Sequence, residues 1–200
     1  MTHTPLARAL WPGAARSQNV RSQIADWGRD ALLVLGFSLV TALSAQLAVP
    51  LPFSPVPVTG QTFGVLLTGA LLGPRLGFLS LLLYLAEGAC GLPFFAGGGF
   101  GLARLFVPTG GYLLAFPLAA ALVGWLATRG WDRRPLSMLA AMLLGSGMIY
   151  SLGAAQLSHF VGVPRAFTIA GILPFLPGDA VKALLVAGLL PLGWKWIGKK

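Results

Sequence analysis

The chain has 200 residues, of which 56% are hydrophobic and only 10% are charged. Because soluble domains carry about 25% charged residues, this composition excludes an ordinary soluble protein and predicts one that is embedded in a membrane. The formal net charge of +9 is divided among segments that flank apolar stretches, which argues against nucleic-acid binding and indicates signals that orient the chain in a bilayer.

The first 30 residues contain four arginines and lack the layout of a signal peptide, so we expect a basic cytoplasmic leader at residues 1–30. An all-α integral membrane domain is predicted at residues 31–197, followed by a basic tail at residues 198–200. The apolar stretches predict six transmembrane helices, of which the second is short for a span of about 20 residues. The predicted spans are residues 31–49, 61–72, 76–90, 110–128, 136–160 and 178–196.

The placement of lysine and arginine predicts the orientation of these helices. With the amino terminus in the cytoplasm, eleven basic residues fall on the inner side and two, Arg104 and Arg165, fall on the outer side. Cytoplasmic loops of membrane proteins carry an excess of such residues. We therefore expect both termini in the cytoplasm and a multi-pass protein of the cytoplasmic (inner) membrane.

Three connections fall on the predicted outer face, at residues 50–62, 91–111 and 163–179. All three are rich in proline or glycine and are still largely apolar, which argues against disorder. Long ordered loops in compact proteins are usually functional. We expect these loops to cap a ligand cavity at the outer ends of the helices.

Asp179 and Lys182 open the last apolar stretch and are spaced i, i+3. This spacing puts an acid and a base on one face of a helix. Ionisable groups inside membrane segments are costly and usually face a partner or a cavity. We predict that the pair forms part of a solute site; the alternative is a structural ion pair.

Further candidates lie in the outer loops and at the neighbouring helix ends. The guanidinium group of Arg104 suits a carboxylate or phosphate, although an interfacial arginine could equally meet lipid headgroups. A glycine-rich turn at residues 97–101 would let the backbone approach a ligand closely. With neutral polar and apolar groups added, the predicted substrate-binding set comprises Asp179, Lys182, Arg104, Tyr112, Gln61, Thr59, Phe95, Gly98 and Glu87.

The sequence offers no catalytic or metal-binding constellation. It contains no G-x-x-x-x-G-K-[ST] loop, no G-x-S-x-G motif and no Cys/His/carboxylate spacing suited to a metal. We therefore expect neither an enzyme nor a cofactor. Small residues on the first span, Ser38, Ala42 and Ala45, favour the close approach of another helix, either of a partner or within this chain.

Four motifs follow one another along the chain: PLPFSPVPVTGQT at residues 50–62, GLPFFAGGGFG at 91–101, PTGGYLLAF at 108–116 and PGDAVK at 177–182. In this order they resemble the BioY family, the biotin-binding S components of energy-coupling factor (ECF) transporters. The resemblance covers about residues 30–197 and implies six helices that enclose the solute near the outer face. It also implies that Asp179 and Lys182 are the acidic and basic site residues of the last helix.

The resemblance implies partners as well as a ligand. Family members work with a coupling transmembrane subunit and two cytoplasmic ATPase subunits, and their first helix contacts the coupling subunit through small residues. Ser38, Ala42 and Ala45 are the nearest match in this chain. The family often has a neutral polar residue near the end of the third helix, where this chain has Glu87.

Biotin is the transported ligand that the resemblance implies. Asp179 would accept N–H groups of its ureido ring, aromatic side chains such as Phe95, Tyr112 and Phe100 would line its apolar part, and a cation would meet its carboxylate. Either Lys182 or Arg104 could supply that cation. The alternatives are an S component for another small vitamin and a membrane-embedded enzyme.

Overall fold

The computed structural model describes residues 5–7, 20–168 and 170–197. Residues 1–4 and 8–19 of the predicted leader and the predicted tail at 198–200 lie outside this described part. The described chain is mainly helical. Its helices are α1 (Val20–Gln46), a segment that holds α2 and α3 (Gln61–Ala89), α4 (Gly110–Ala127), α5 (Pro135–Val161), the short α6 (Val163–Ala166) and α7 (Leu176–Ile197).

The segment Gln61–Ala89 folds back on itself at Gly73, which has φ 80° and ψ −179°. A positive φ suits glycine, and Pro74 next to it cannot donate the backbone hydrogen bond that a continuous helix needs. The Gln61 amide lies 2.6 Å from the Tyr84 hydroxyl although the two are 23 residues apart, whereas a straight helix would separate them by about 35 Å. The two arms, α2 (residues 61–72) and α3 (residues 74–89), therefore run antiparallel.

Five helical segments are long and apolar enough to cross a membrane, and the second of them contains both α2 and α3. The described chain thus has six long helices, each overlapping one predicted span, and the prediction of a six-helix membrane protein is confirmed. The segments are Asp26–Gln46, Gln61–Ala89, Gly110–Ala127, Pro135–Val161 and Leu176–Trp196.

A two-stranded hairpin interrupts the helices between α1 and α2. Its strands, β1 (Ala48–Leu51) and β2 (Ser54–Thr59), pair antiparallel with an irregularity between Val49 and Leu51. The sequence predicted a loop here, without strands. A ribbon of two strands has only edges, so the prolines of this stretch can occupy positions whose missing N–H groups are not needed for pairing.

Glycines allow α2 and α3 to pack closely on α4. A Cβ atom added at Gly69 would lie 2.3 Å from the Ala120 carbonyl oxygen, and one added at Gly124 would lie 2.4 Å from the Gly73 carbonyl carbon. These approaches leave no room for a side chain. Small residues at helix crossings are the usual means by which membrane helices maximise their contact.

The three small residues predicted to contact a partner lie on the inner side of α1. Ser38 and Ala45 are fully buried and Ala42 is 5% exposed. Helix α3 covers this side, where the Ser80 hydroxyl donates a 2.9 Å hydrogen bond to the Val34 carbonyl of α1. The three residues therefore pack within the chain in this structure, and a partner could reach them only if α1 moved away.

The last helix is fixed at its carboxyl end by the connection between α4 and α5. The Trp194 indole N–H donates a 2.5 Å hydrogen bond to the Asp132 carboxylate, and the Arg133 guanidinium lies 4.8 Å from the centre of the Trp194 ring. Asp132 is 1% exposed. This contact holds α7 against the bundle at one end, while its first turns carry Asp179 and Lys182 at the other.

Candidate functional site

A cavity of about 130 Å³ lies where the hairpin, the connection between α3 and α4, and the start of α7 meet. Its wall combines charged, polar and aromatic side chains from elements that are far apart in sequence. The lining residues are Pro55, Val56, Pro57, Thr59, Gln61, Thr62, Phe95, Ala96, Arg104, Thr109, Tyr112, Leu113, Phe116, Ile149, Tyr150, Phe175, Asp179 and Lys182.

Asp179 has three side-chain partners in this wall. It sits in the first turns of α7 and is 8% exposed. Its Oδ1 atom accepts hydrogen bonds of 2.9 Å from the Thr62 hydroxyl and 2.9 Å from the Lys182 ammonium group, and its Oδ2 atom accepts one of 2.5 Å from the Tyr150 hydroxyl. An ionised carboxylate has about four acceptor sites, so one remains for a ligand.

Lys182 has a complete set of partners inside the chain. An ammonium group has three N–H donors. They contact the Thr59 carbonyl at 2.7 Å, the Thr62 hydroxyl at 2.9 Å and the Asp179 carboxylate at 2.9 Å. The lysine therefore neutralises Asp179 and joins α7 to the start of α2, and it has no donor left for another group without giving one up.

A second polar chain runs from the cavity into the core. The Thr59 hydroxyl donates to the Gln61 side-chain oxygen at 3.1 Å, the Gln61 amide donates to the Tyr84 hydroxyl at 2.6 Å, and that hydroxyl donates to the Phe94 carbonyl at 3.1 Å. A glutamine amide has two N–H donors, so Gln61 keeps one for the cavity. The chain also fixes the loop that carries Phe95.

Aromatic rings form the apolar part of the wall. The rings of Tyr150 and Phe175 are stacked, with centroids 6.1 Å apart and planes inclined by 24°. Tyr112 packs 6.4 Å from Phe175 and donates a 2.9 Å hydrogen bond to the Gly171 carbonyl, which holds the connection between α6 and α7 over the helices. Such rings offer a wide and rigid surface to an apolar ligand.

Arg104 contributes a second cation to the wall. It lies in the turn at Leu102–Leu105 and passes close to Gly99, where an added Cβ atom would come within 3.2 Å of the Arg104 Nε atom. No ion pair or side-chain hydrogen bond joins Arg104 to any residue in the described part of the chain. Its guanidinium group is thus available to an anion.

Seven of the nine predicted binding residues line this cavity, and Gly98 and Glu87 do not. The Gly98 N–H instead donates a 3.0 Å hydrogen bond to the Gln46 side chain at the end of α1, so this glycine fastens the loop to a helix. Glu87 lies near the end of α3, away from the wall, and its Oε2 atom is buried without a partner among the described residues. Phe100, expected in the apolar wall, is 60% exposed.

Several lining residues were absent from the predicted set. Thr62 was visible as a hydroxyl in the conspicuous 50–62 motif. Tyr150, Phe116 and Phe175 gave no comparable signal, because an aromatic residue in an apolar stretch usually reports packing or an interfacial position. What makes Tyr150 distinctive is a contact to Asp179, 29 residues away.

The arrangement can bind a small molecule that has N–H donors at one end, an apolar middle and a negative charge. Within the described residues, no group of three histidines, cysteines or carboxylates could hold a metal ion. The fold and the site together define a multi-pass helical membrane protein that has a cavity lined by charged, polar and aromatic side chains at one end of its helix bundle.

Comparison with known proteins identifies the family. The sequence model of the BioY family matches residues 16–199, and the chain belongs to this family. A probable biotin transporter BioY of Pyrococcus horikoshii is 44% identical over 155 residues, which is 78% of this chain and 90% of that protein. The biotin transporter BioY of Thermotoga maritima is 37% identical over 163 residues, covering 80% of this chain and 91% of its own.

A solved structure agrees with this assignment. The fold is similar to a crystal structure at 2.1 Å of the S-component for biotin from an ECF-type ABC transporter, with a TM-score of 0.77 and 27% identity. The likeness covers 90% of this chain and 95% of the other. The predicted resemblance to BioY is thereby confirmed, and the relatives are named as transporters rather than enzymes.

Proposed function

We propose that this chain is the biotin-binding S component of an ECF-type transporter and serves biotin uptake. The family membership, the names of the relatives and the likeness to a biotin S-component structure support the proposal. The observation that carries it is the cavity, whose wall combines an acceptor edge, an aromatic surface and a cation. Biotin has matching parts: a ureido ring with two N–H donors and one carbonyl, an apolar thiophane ring and a carboxylate.

The polar end of the cavity would receive the ureido ring. Asp179 has one acceptor site left for an N–H group. Gln61 has one N–H donor left for the ureido carbonyl, because its other N–H is bound to Tyr84. Phe95 and Tyr112 on the same wall would contact the thiophane ring. We leave Gly98 and Glu87 out of the proposed site.

The carboxylate of biotin would pair with Arg104 rather than with Lys182. The three donors of Lys182 are used within the chain, whereas Arg104 has no ion-pair partner among the described residues. A guanidinium group also matches a carboxylate in a bidentate geometry. We thus propose Arg104 where the sequence left the choice between the two cations open.

We propose that the cavity opens toward the outside and that both termini are cytoplasmic. The described residues at the end of the bundle opposite Asp179 include five exposed cations beside the buried Asp132, and the start of α1 adds Arg29 with its ion-pair partners Asp26 and Asp30. An excess of cations is typical of the cytoplasmic side. The five exposed cations are Arg75, Arg129, Arg133, Arg134 and Lys195. In a cytoplasmic membrane, the hairpin and the two other outer loops would then cap the ligand cavity.

Uptake against a gradient needs a source of energy, and we propose a coupling transmembrane subunit with two cytoplasmic ATPase subunits as partners. The sequence-based choice of Ser38, Ala42 and Ala45 is replaced here by the opposite side of α1. That side is exposed and apolar, and α1 has the lowest buried share of the five spans, 22%. Its leucines recur at helical spacing: Leu32, Leu35, Leu39 and Leu43.

The identity of the solute is directly testable. The chain would be purified in detergent from cells grown without added vitamins, denatured, and its released small molecules identified by mass spectrometry. We expect biotin at close to one molecule per chain. Release of a different vitamin, or failure of the ligand-free protein to bind biotin in isothermal titration calorimetry, would contradict the proposal.

A further inference from the structure

Tyr150 is a polar group of the cavity wall to which the proposed function gives no role. It lies near the middle of α5, is 6% exposed, and turns its ring toward the cavity beside Phe175. Its hydroxyl donates a 2.5 Å hydrogen bond to the Asp179 Oδ2 atom. The other two partners of Asp179, Thr62 and Lys182, both contact Oδ1. Tyr150 thus alone occupies the second carboxylate oxygen among the described residues.

The direction of this hydrogen bond has a chemical consequence for a ligand. A tyrosine hydroxyl has one proton, and in Tyr150 that proton is directed to Asp179. What the hydroxyl can still offer is an oxygen lone pair. An ionised carboxylate is likewise an acceptor only. The edge formed by Tyr150 Oη and Asp179 Oδ2 therefore presents acceptors and no donor to the cavity.

Ion-pair and hydrogen-bond partners surround the carboxylate. Lys182 Nζ lies 2.9 Å from Asp179 Oδ1 and forms a salt bridge with it. The Thr62 hydroxyl accepts from Lys182 and donates to Asp179, so Thr62, Lys182 and Tyr150 each direct one proton to the carboxylate. Tyr150 is the hydrogen-bond donor to the Oδ2 atom of the same carboxylate.

We propose that Tyr150 is a specificity-determining residue, which makes this end of the cavity select solutes that present N–H groups and reject analogues with oxygen atoms in their place. A ligand oxygen facing this edge would meet only lone pairs. A buried polar group without a partner is costly, and sites built to bind an N–H or O–H group reject analogues that lack it far more strongly than apolar pockets reject a missing methylene. The inference rests on the proposed function, since biotin supplies the N–H groups.

The test compares two ligands on three variants. Biotin would be measured against its cyclic carbonate analogue, in which ring oxygens replace both ureido N–H groups, by calorimetry on the full chain in detergent. For the wild type we expect the analogue to bind at least about a hundredfold more weakly than biotin. In Tyr150→Phe, which removes the acceptor and lets Asp179 reorient, this ratio should fall by about tenfold or more.

Two matched variants separate selectivity from packing. Tyr112→Phe removes another tyrosine hydroxyl of the same wall, one that binds the Gly171 carbonyl rather than Asp179. Thr62→Val removes a partner of Asp179 on the Oδ1 side and leaves the Tyr150 edge intact. Both should keep the wild-type ratio even where they weaken both ligands. Size-exclusion profiles and melting temperatures would show that each variant is folded.

The outcomes are distinguishable. A wild type that does not bind biotin would overturn the proposed function and this inference with it. A wild type that binds biotin, with the same ligand ratio in Tyr150→Phe, would overturn only the inference and leave Tyr150 a packing residue. If Tyr150→Phe did not fold, Thr62→Val would still test the inference. A Thr62→Val protein that no longer prefers biotin over the carbonate analogue would overturn it, because the selectivity would then depend on the partners of Oδ1.

Discussion

Replacing Arg104 by glutamine tests which cation recognises the solute carboxylate. Arg104 lines the cavity and has no ion-pair partner among the described residues. Its removal therefore leaves no other charge of the described chain uncompensated, and stability should change by no more than about 0.5 kcal/mol. The loss should appear in binding. A charge-assisted hydrogen-bond contact contributes about 1.5–3 kcal/mol, which is about a ten- to hundredfold change in Kd.

The ligand pair for this assay is biotin and biotin amide, which lacks the negative charge. In Arg104→Gln the affinity for biotin should fall by about ten- to a hundredfold while that for the amide stays within about twofold. Calorimetry on ligand-free protein in detergent measures both. An equal loss for the two ligands would refute the assignment, because the arginine would then shape the loop rather than meet the carboxylate.

Lys182→Met is the matched control, since it removes the other cation of the same cavity. Its three contacts all lie within the chain, and its side chain is 22% exposed against 10% for Asp179. Breaking a buried pair on one side costs about 3–5 kcal/mol, toward the lower end for a pair that is partly exposed. We expect a lower melting temperature and equal losses of affinity for both ligands. If affinity were lost for biotin but not for the amide, Lys182 rather than Arg104 would be the residue that binds the biotin carboxylate.

Three further outcomes are expected. Asp179→Asn should weaken biotin binding at least about tenfold in calorimetry, since the amide that replaces one oxygen cannot accept; an unchanged Kd would remove Asp179 from the site. Leu43→Arg, on the exposed side of α1, should abolish coupled uptake in cells and spare binding, whereas Leu144→Arg at an exposed position of α5 should leave both uptake and binding unchanged; normal uptake in Leu43→Arg would show that the partner surface lies elsewhere. Gly69→Leu should lower the melting temperature strongly, because its Cβ would meet the α4 backbone at 2.3 Å, while Gly147→Ala has nothing within 4 Å and should change it little.

The helices could be predicted from the sequence because apolar stretches and helix-breaking residues are local features of the chain. Gly73 and Pro74 stand between two apolar stretches, and the short length predicted for the second span agrees with the 12-residue arm before the turn at Gly73. The hairpin after α1 could not be predicted from the sequence. Prolines are depleted from strands, and the pairing that tolerates them depends on an edge position that composition does not reveal.

The sequence pointed to those residues of the cavity wall that are charged. Asp179 and Lys182 stood out because ionisable groups are rare in membrane segments, and both lie on the cavity wall. Their roles toward a ligand remain predictions. Tyr150 could not be found in the same way, because a tyrosine in an apolar helix is common and its significance depends on a partner in another helix.

The sequence left open whether the small residues of α1 contact a partner or another helix of this chain. Small residues at helical spacing favour close contact between helices, but they do not say whether the second helix belongs to the same chain. Here α3 occupies that side, and Ser38 and Ala45 are fully buried. The opposite side carries large apolar side chains at the same spacing, and in a membrane such a face is covered by lipid or by a partner.

The charged cluster at the start of α7 is better understood as preparation for binding than as a source of stability. A buried ion pair pays a desolvation cost that roughly cancels its attraction, and apolar residues of similar size often stabilise a protein as well. The side chains of Asp179 and Lys182 are already held by hydrogen bonds within the chain before a ligand arrives. Binding then orders few side chains, and the ordering of side chains is one of the main costs of association. Affinity would thus come from groups that are already fixed, with Arg104 at the loop as the one charged contact still to be made.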